Sequence, residues 1–286
     1  MSTAQQHSNV SPMAPKPTIS FVTVTPDVAK RWLKGNTVNR NVRVAKVNQY
    51  ASDMLAGRWT HSESMICFTS DGKMVNGQHR LLAVIQSNCA ITFAVQRNVP
   101  IEAMANMDTG AARIVSDVFR WNGEKNAPLL GSTAKFALIF TDGRIYKDNK
   151  VQATSHSALV DFVDIHPELR HSVSTAQHVY AHLDCAPTVL AVAHWIIAAA
   201  NNAEVADHFL NQLGSRAGEG EGSAILALDR RLREIRRTRA KYTQREFLAL
   251  LIKGWNHYAT GKSVEKLSII QRGTFRIPAA ARWVAS

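Results

Sequence analysis

The spacing of apolar residues changes along the chain and predicts two domains of different architecture. Strand-like apolar runs occur in residues 19–24, 64–77 and 90–99. Helical spacing of apolar residues occurs in residues 25–36, 39–59 and 80–87. The middle strand-like run contains the Asp-Gly pair of SDGK, which predicts that two short strands fold back as a hairpin. The first part of the chain therefore predicts a small mixed α/β domain.

Two of these helices have start and stop signals in the sequence. Thr25 can cap the first helix, Pro26 suits its first position, and Gly35 can end it. Asn41 can cap the second helix, and Gly57 can end it. The apolar residues that recur at helical spacing in this second helix are Val44, Val47, Ala51, Met54 and Leu55. We expect them to form its buried face.

Helical spacing dominates the second half of the chain. It occurs in GSTAKFALIFTDGR, SHSALVDFVDIHPEL, PTVLAVAHWIIAAANN and EVADHFLNQLGS, and two longer helices are predicted in residues 223–258. The pattern breaks at residues 121–128, whereas residues 1–18 are rich in Ser, Gln, Pro and Ala and have no periodicity. We therefore expect an α+β protein with a disordered tail at 1–18, a mixed domain at 19–122 and a helical domain at 123–286.

Basic residues are concentrated at the two ends of the chain. The net charge of +12 divides into +6 for residues 1–120, −4 for residues 121–224 and +10 for residues 225–286. Because cationic side chains bind phosphates largely by releasing condensed counterions, two basic regions favour a polyanionic partner, with nucleic acid as the first candidate. A basic surface that is simply solvated is the alternative.

Membrane segments and metal-binding motifs are both missing from the sequence. No stretch reaches the roughly 18–20 apolar residues of a membrane helix, and the first residues lack the layout of a secretory signal, so we expect a cytoplasmic protein without membrane contact. The unevenly spaced Cys67, Cys89 and Cys185 predict free thiols. The histidines at 156, 166, 171, 178, 182 and 194 have no compact ligand spacing except the 178/182 pair, so no metal site is expected.

The tetrad Gly77, Gln78, His79, Arg80 stands at the start of a predicted helix. Gly77 allows a tight turn, and the N–H groups of the first helical turn favour an anion. The guanidinium of Arg80 can hold two phosphate or carboxylate oxygens at once, while His79 can donate a hydrogen bond or carry a proton near neutral pH. The tetrad therefore predicts a phosphate site.

The segment around this tetrad, DGKMVNGQHRLLAV, resembles the core motif of the ParB/sulfiredoxin superfamily. In that family a Gly-x-x-Arg tetrad opens a helix and contacts nucleotide or DNA phosphates. The flanking NTVNRNVRVAKVNQYASDMLAGRW and NMDTGAARIVSDVF are similar to ParB-like proteins common in bacteriophages and mobile elements. The resemblance covers about residues 19–120 and implies a sulfiredoxin-like fold and a DNA-associated protein in the bacterial cytoplasm or nucleoid.

Two positions depart from the motifs that carry the family's chemistry. Gln78 stands where sulfiredoxins have a reactive cysteine and ParB has Glu, and Asn76 stands where regulators of DNA modification have Asp. An amide is neither a general base nor a good ligand for a hard cation, so binding is favoured over catalysis. The expected phosphate or nucleotide contacts are Asn76, Gly77, Gln78, His79, Arg80, Arg40, Thr109 and Arg113.

Two other functions remain as alternatives to a protein that binds phosphate but catalyses no reaction. In the first, His79 acts as acid/base with Asp108, which makes the protein a nucleotide hydrolase, phosphotransferase or nuclease that uses a nucleoside triphosphate with magnesium. Asp108 can equally cap a helix at residues 111–119, and Arg40 can equally be an ordinary surface arginine. In the second, the chain is a non-catalytic regulatory module that binds a host protein. The oligomeric state is open in every case.

The segment LDRRLREIRRTRAKY predicts an amphipathic helix with an arginine-rich face. Leu228, Leu232 and Ile235 form one apolar stripe. Glu234 is expected to offset only one of the arginines, so the others predict a contact with nucleic acid, and a solvated face with internal salt bridges is the alternative. The expected DNA contacts are Arg230, Arg233, Arg236, Arg237, Arg239 and Lys241.

Overall fold

The chain forms two compact units of different architecture, Met1–Ala112 (unit 1) and Arg113–Ser286 (unit 2). The computed structural model describes residues 16–36, 42–60, 65–100, 114–146, 154–217, 222–269 and 276–284. Unit 1 combines a small sheet with helices, and unit 2 is helical. The predicted α+β class is therefore confirmed.

The described residues of unit 1 form the strands and helices that the sequence predicts between residues 19 and 99. In chain order these are β1 (Thr18–Val24), α1 (Pro26–Leu33), α2 (Val44–Leu55), β2 (Ile66–Phe68), β3 (Met74–Asn76), α3 (Gln78–Ser87) and β4 (Ile91–Arg97). The side chain of Thr25 accepts a hydrogen bond from the backbone N–H of Val28, as expected of the N-cap of α1. The N-cap of α2 is Arg43 rather than Asn41.

The four strands form one mixed sheet in the order β1-β4-β2-β3. Strand β1 pairs antiparallel with β4, and β2 pairs antiparallel with β3, whereas β2 and β4 are parallel. At the β2–β3 turn, the carboxylate of Asp71 contacts the ammonium of Lys73 at 2.7 Å and accepts a hydrogen bond from the hydroxyl of Thr69. These hydrogen bonds from Lys73 and Thr69 lower the pKa of Asp71 to about 2. The antiparallel pairing of β2 with β3 across this turn confirms the predicted Asp-Gly hairpin.

Helices α1, α2 and α3 build the core of unit 1 together with the sheet. The largest fully buried side chains of this core are Ile66, Met74 and Leu81. In α2, Val47, Ala51 and Met54 are buried as predicted, but Val44 and Leu55 are exposed, because they are the first and last residues of the helix. The buried face of α2 is therefore shorter than the sequence pattern indicates.

Unit 2 is a bundle of helices around one hydrophobic core. Its helices are α4 (Val115–Trp121), α5 (Ala127–Thr141), α6 (His156–Ile165), α7 (Leu169–Val179), α8 (Pro187–Ala200), α9 (Ala203–Ser215), α10 (Ala224–Arg237) and α11 (Gln244–Ala259), with 3-10 turns at Arg144–Tyr146 and Tyr180–His182. Helix α8 packs against α5, α7, α9 and α11. Because it has neighbours on several sides, it lacks a polar face.

Helix α4 belongs to unit 2, so the boundary between the units lies earlier than the predicted break at 122/123. Phe119 of α4 is buried in the core of unit 2, and α4 packs against α5. The break at residues 121–128 is the turn between these two helices. The N-cap of α4 is Ile114, whose backbone N–H donates to Asp117, and Asp108, which the sequence offers as a cap, lies outside the described residues.

The three cysteines are free, as the sequence predicts. Cys67 and Cys185 are buried, whereas Cys89 is half-buried. Burial raises the pKa of the Cys185 thiol to about 12, which keeps it protonated and chemically inert near neutral pH. In the part of the chain that the structure describes, no helix has the length and apolar character needed to cross a membrane.

Candidate phosphate-binding site

The tetrad is the junction between strand β3 and helix α3. Gly77 is the N-cap of α3 and has φ +117° and ψ −5°, a backbone conformation that side chains other than glycine rarely adopt. A Cβ atom on Gly77 would lie 3.0 Å from both Cγ1 and Cγ2 of the buried Ile66. Helix α3 begins at the next residue, Gln78, so the prediction that the tetrad opens a helix is confirmed.

A cavity of about 200 Å³ opens at this junction, and we call it the tetrad cavity. Its walls come from α2 and from the β3–α3 junction. The residues that line it are Arg43, Lys46, Tyr50, Asn76, Gly77, Gln78, His79 and Arg80. Both α2 and α3 begin at this cavity, and among the described residues neither N-cap residue, Arg43 or Gly77, makes a side-chain capping hydrogen bond. The positive ends of two helix dipoles therefore contribute to one cavity.

His79 connects the first turns of the two helices. Its Nε2 atom accepts a hydrogen bond of 2.9 Å from the backbone N–H of Arg43, the N-cap residue of α2. This bond requires a lone pair on Nε2, so protonation of that nitrogen would break the contact. In this arrangement His79 holds α2 against α3, and its Nε2 is already engaged by the backbone.

Arg80 is a buried cation in the wall of the cavity. Only 6% of its surface is exposed, and its Nη1 atom donates a hydrogen bond of 3.1 Å to the carbonyl oxygen of Met65. A buried guanidinium is costly unless hydrogen bonds and negative charge compensate it. The guanidinium of Arg80 places positive charge in the wall of the tetrad cavity, which favours an anionic ligand there.

Gln78 is a buried amide at the start of α3. It is 8% exposed, and its Oε1 atom has no hydrogen-bond partner among the described residues. A buried polar atom without a partner costs free energy and commonly marks a position that a ligand or water satisfies. The side chain lines the tetrad cavity, where the amide can bond a ligand.

The charge around the tetrad cavity is positive. Arg43, Lys46 and Arg80 line it, and none of the described lining residues is acidic. The ammonium of Lys46 lies 4.6 Å from the ring centroid of Tyr50, a cation–π contact on the same helix. An anion is therefore the ligand that this cavity favours.

The cavity brings together some of the expected site residues and adds others. Asn76, Gly77, Gln78, His79 and Arg80 all line it, whereas Arg40, Asp108, Thr109 and Arg113 lie outside the described residues. Sequence reasoning missed the residues that α2 contributes, Arg43, Lys46 and Tyr50. Their signal in the sequence is a spacing of three and four residues, which places them on one face of α2.

The arginine-rich segment forms α10 and the turn that follows it. Leu228, Leu232 and Ile235 are buried, as predicted. Glu234 pairs with one arginine, as expected, but two further carboxylates also pair with arginines of this segment. Arg231 pairs with Glu234 at 2.6 Å, Arg233 pairs with the buried Asp229, and Arg236 pairs with Asp184, a residue outside α10.

The remaining cations lie on the exposed side and beyond the end of α10. Arg230 donates from Nε to the carbonyl oxygen of Leu226. Arg237, Arg239 and Lys241 are exposed and make no ion pair within the described part of the chain. We call these three residues the basic end of α10. Their charges are available to an external anion.

The fold and the site together define an α+β chain with a cationic cavity in unit 1 and a separate group of exposed cations in unit 2. Comparison with protein-family models, with curated proteins and with solved structures finds no match.

Proposed function

We propose that the chain is a ParB-like, DNA-associated protein that binds nucleotide or DNA-backbone phosphates in the tetrad cavity. One observation carries the proposal: two helix N-termini without side-chain caps begin at a single cavity that is lined by three cationic side chains. The resemblance of DGKMVNGQHRLLAV to the ParB/sulfiredoxin motif supports the same interpretation.

Phosphate suits this cavity for reasons of charge and geometry. The uncapped first turns of α2 and α3 have N–H groups without intrahelical partners, and these groups and the helix dipoles favour an anion. Arg43 and Lys46 are exposed at the rim and can pair with the outer oxygens of a phosphate, whereas Arg80 is buried in the wall. Gln78 adds a buried amide that can bond the ligand.

Binding without catalysis is the better-supported form of this proposal. No carboxylate lines the cavity in the described part of the chain, and Asn76 and Gln78 are amides. The Nε2 atom of His79 already accepts a backbone hydrogen bond, which opposes its use as an acid or base. The hydrolase, phosphotransferase and nuclease alternatives require Asp108, which lies outside the described residues.

Removing the two exposed cations of the tetrad cavity is expected to weaken phosphate binding. We expect the double variant Arg43→Gln, Lys46→Gln to bind its nucleotide or DNA ligand about tenfold more weakly, because two charge-assisted contacts are lost. For DNA, the slope of log Kd against log salt should also fall by about one per lost phosphate contact. The measurement is fluorescence polarisation with labelled nucleoside triphosphates and a short labelled duplex, over a range of salt concentrations.

The matched control changes the same residue types elsewhere in unit 1. Arg31→Gln, Lys34→Gln removes one arginine and one lysine from exposed positions at the C-terminal end of α1 and lowers the net charge equally. An equal loss of affinity in both double variants would mean that only net charge matters and would contradict a phosphate site in the tetrad cavity. Release of product from any nucleotide during the titration would favour the enzymatic alternative.

The basic end of α10 is proposed to supply sequence-independent affinity for DNA. Because Arg237, Arg239 and Lys241 form no ion pair within the described residues, they can approach backbone phosphates without breaking one, unlike Arg233 and Arg236. Changing all three to Gln is expected to weaken DNA binding at least about tenfold at low salt. The triple variant should also reduce the slope of log Kd against log salt by about two to three, since each phosphate contact contributes about 0.9.

The control for this prediction removes three cations from other exposed positions of unit 2. Lys125→Gln, Lys135→Gln, Arg282→Gln gives the same change in charge. Retention of DNA across a salt gradient should fall for the first triple variant and change little for the second. If the two variants elute together, the basic end of α10 is not the contact.

A further inference from the structure

Three helices of unit 2 bring two histidines and an aspartate together. His171 lies on α7, His194 on α8 and Asp207 on α9. One nitrogen of each imidazole and one carboxylate oxygen lie within 4.8 Å of one another. We call these three residues the His–Asp cluster. They are far apart in sequence, so no local ligand spacing reveals them.

The nitrogens that face the carboxylate are the same atom in both imidazoles. Nε2 of His171 lies 2.8 Å from Oδ2 of Asp207, and Nε2 of His194 lies 3.0 Å from Oδ1. Zinc bound tetrahedrally at about 2.0–2.2 Å separates its ligand atoms by about 3.3 Å. The two nitrogen–oxygen separations therefore need to open by only a few tenths of an ångström to admit such an ion, and the remaining separation lies within 4.8 Å.

Hydrogen bonds from behind the cluster hold its members in place, as they do for metal ligands in proteins. The Nδ1 atom of His194 lies 2.8 Å from the hydroxyl of Ser172, which can itself donate to the carbonyl oxygen of Glu168 at 3.4 Å. Ser172 can therefore accept a hydrogen bond from Nδ1, which leaves the Nε2 lone pair directed at the cluster. Asp207 accepts a hydrogen bond of 2.6 Å from Thr175, which fixes the carboxylate.

We propose that His171, His194 and Asp207 form a binding site for a divalent first-row transition-metal ion of the zinc type. Two imidazoles and one carboxylate are the ligand set of such ions, whereas Mg²⁺ and Ca²⁺ prefer oxygen ligands throughout. The side chain of His171 is 51% exposed and that of Asp207 is 29% exposed, so an ion can enter from solvent while His194 anchors it from the core. The exposed side also leaves room for a water ligand.

Calorimetric titration of the full-length chain with Zn²⁺ tests this proposal. The protein should be free of an affinity tag and freed of metal with a chelator before the titration. We expect one tight equivalent of Zn²⁺ per chain, no comparable heat with Mg²⁺, and a rise in the thermal midpoint with Zn²⁺ alone. Bound Co²⁺ should show visible ligand-field absorption that added Zn²⁺ abolishes.

Three variants decide which residues hold the ion. His171→Gln and Asp207→Asn should each weaken Zn²⁺ binding more than about tenfold, while His178→Gln, an exposed histidine on the same helix α7, should leave it unchanged. Equal affinity in all three variants, or no binding by the unaltered chain, would overturn the proposal. The thermal midpoint of each variant, measured in chelator, shows whether the substitution disturbs the fold. Because His171 is half-exposed, its variant remains informative even if Asp207→Asn proves to be destabilised.

Discussion

Replacing Trp255 with Ala is expected to lower the free energy of unfolding by about 3–5 kcal/mol and the thermal midpoint by on the order of 10 °C. Trp255 is fully buried in the core of unit 2, where its ring packs edge-on against Phe209 at a centroid distance of 5.3 Å. Its ring also stacks on Trp283 at 6.0 Å, and its Nε1 donates a 2.9 Å hydrogen bond to the carbonyl oxygen of Ala281. The substitution therefore removes core volume together with one of the contacts that hold the segment at 276–284.

The matched control is the same substitution at an exposed tryptophan. Trp121 is 70% exposed, so Trp121→Ala should change the free energy of unfolding by no more than about 0.5 kcal/mol. Urea denaturation of both variants, followed by circular dichroism, gives the two values. A loss of less than about 1 kcal/mol for Trp255→Ala would contradict the placement of this ring in the unit 2 core.

The elements that sequence reasoning predicted are those that local periodicity determines. The stripe Leu228, Leu232, Ile235 is buried because residues three and four apart share one face of a helix, whatever that face packs against. The Asp-Gly hairpin follows from turn chemistry at Asp71 and its neighbours. The start of α3 follows from Gly77, whose backbone conformation the turn requires.

The features that sequence reasoning missed depend on residues that are distant along the chain. The sheet order β1-β4-β2-β3 places strands side by side that are not consecutive, and no local pattern encodes it. The ion pair between Arg236 and Asp184 likewise joins two separate elements, which is why the arginine-rich face has fewer available charges than its sequence indicates. The His–Asp cluster was missed for the same reason, because each member comes from a different helix.

The tetrad cavity depends both on a local sequence motif and on a contact between residues that are distant along the chain. Its tetrad half was predicted, because Gly77, Gln78, His79 and Arg80 are consecutive. Its other half, with Arg43 and Lys46, depends on the hydrogen bond from the backbone of Arg43 to His79, a contact that brings α2 to the start of α3. His79, which the sequence suggests as an acid/base, is therefore also the residue that joins the two halves of the cavity.

Replacing Gly77 with Ala is expected to destabilise unit 1 by about 1–3 kcal/mol and to impair ligand binding in the tetrad cavity. The substitution would impose φ +117° on a residue with a Cβ, and that Cβ would lie 3.0 Å from two atoms of Ile66. Ile66 is fully buried in strand β2, so it has little room to move, and relief must come from the backbone of the tetrad. Such a shift would displace the first N–H groups of α3 from the cavity.

Gly57→Ala separates the cost of the backbone conformation from the cost of the clash. Gly57 has φ +68°, and among the described residues no atom lies within 4 Å of the position that a Cβ would take. Its substitution should therefore cost only about 1 kcal/mol and leave ligand affinity unchanged. Amide hydrogen exchange of α3 and fluorescence polarisation titrations measure both effects in the full chain. If Gly77→Ala proves as mild as Gly57→Ala and keeps full affinity, the close packing of Gly77 on Ile66 does not hold the tetrad in place, and the first turn of α3 is not the anion contact.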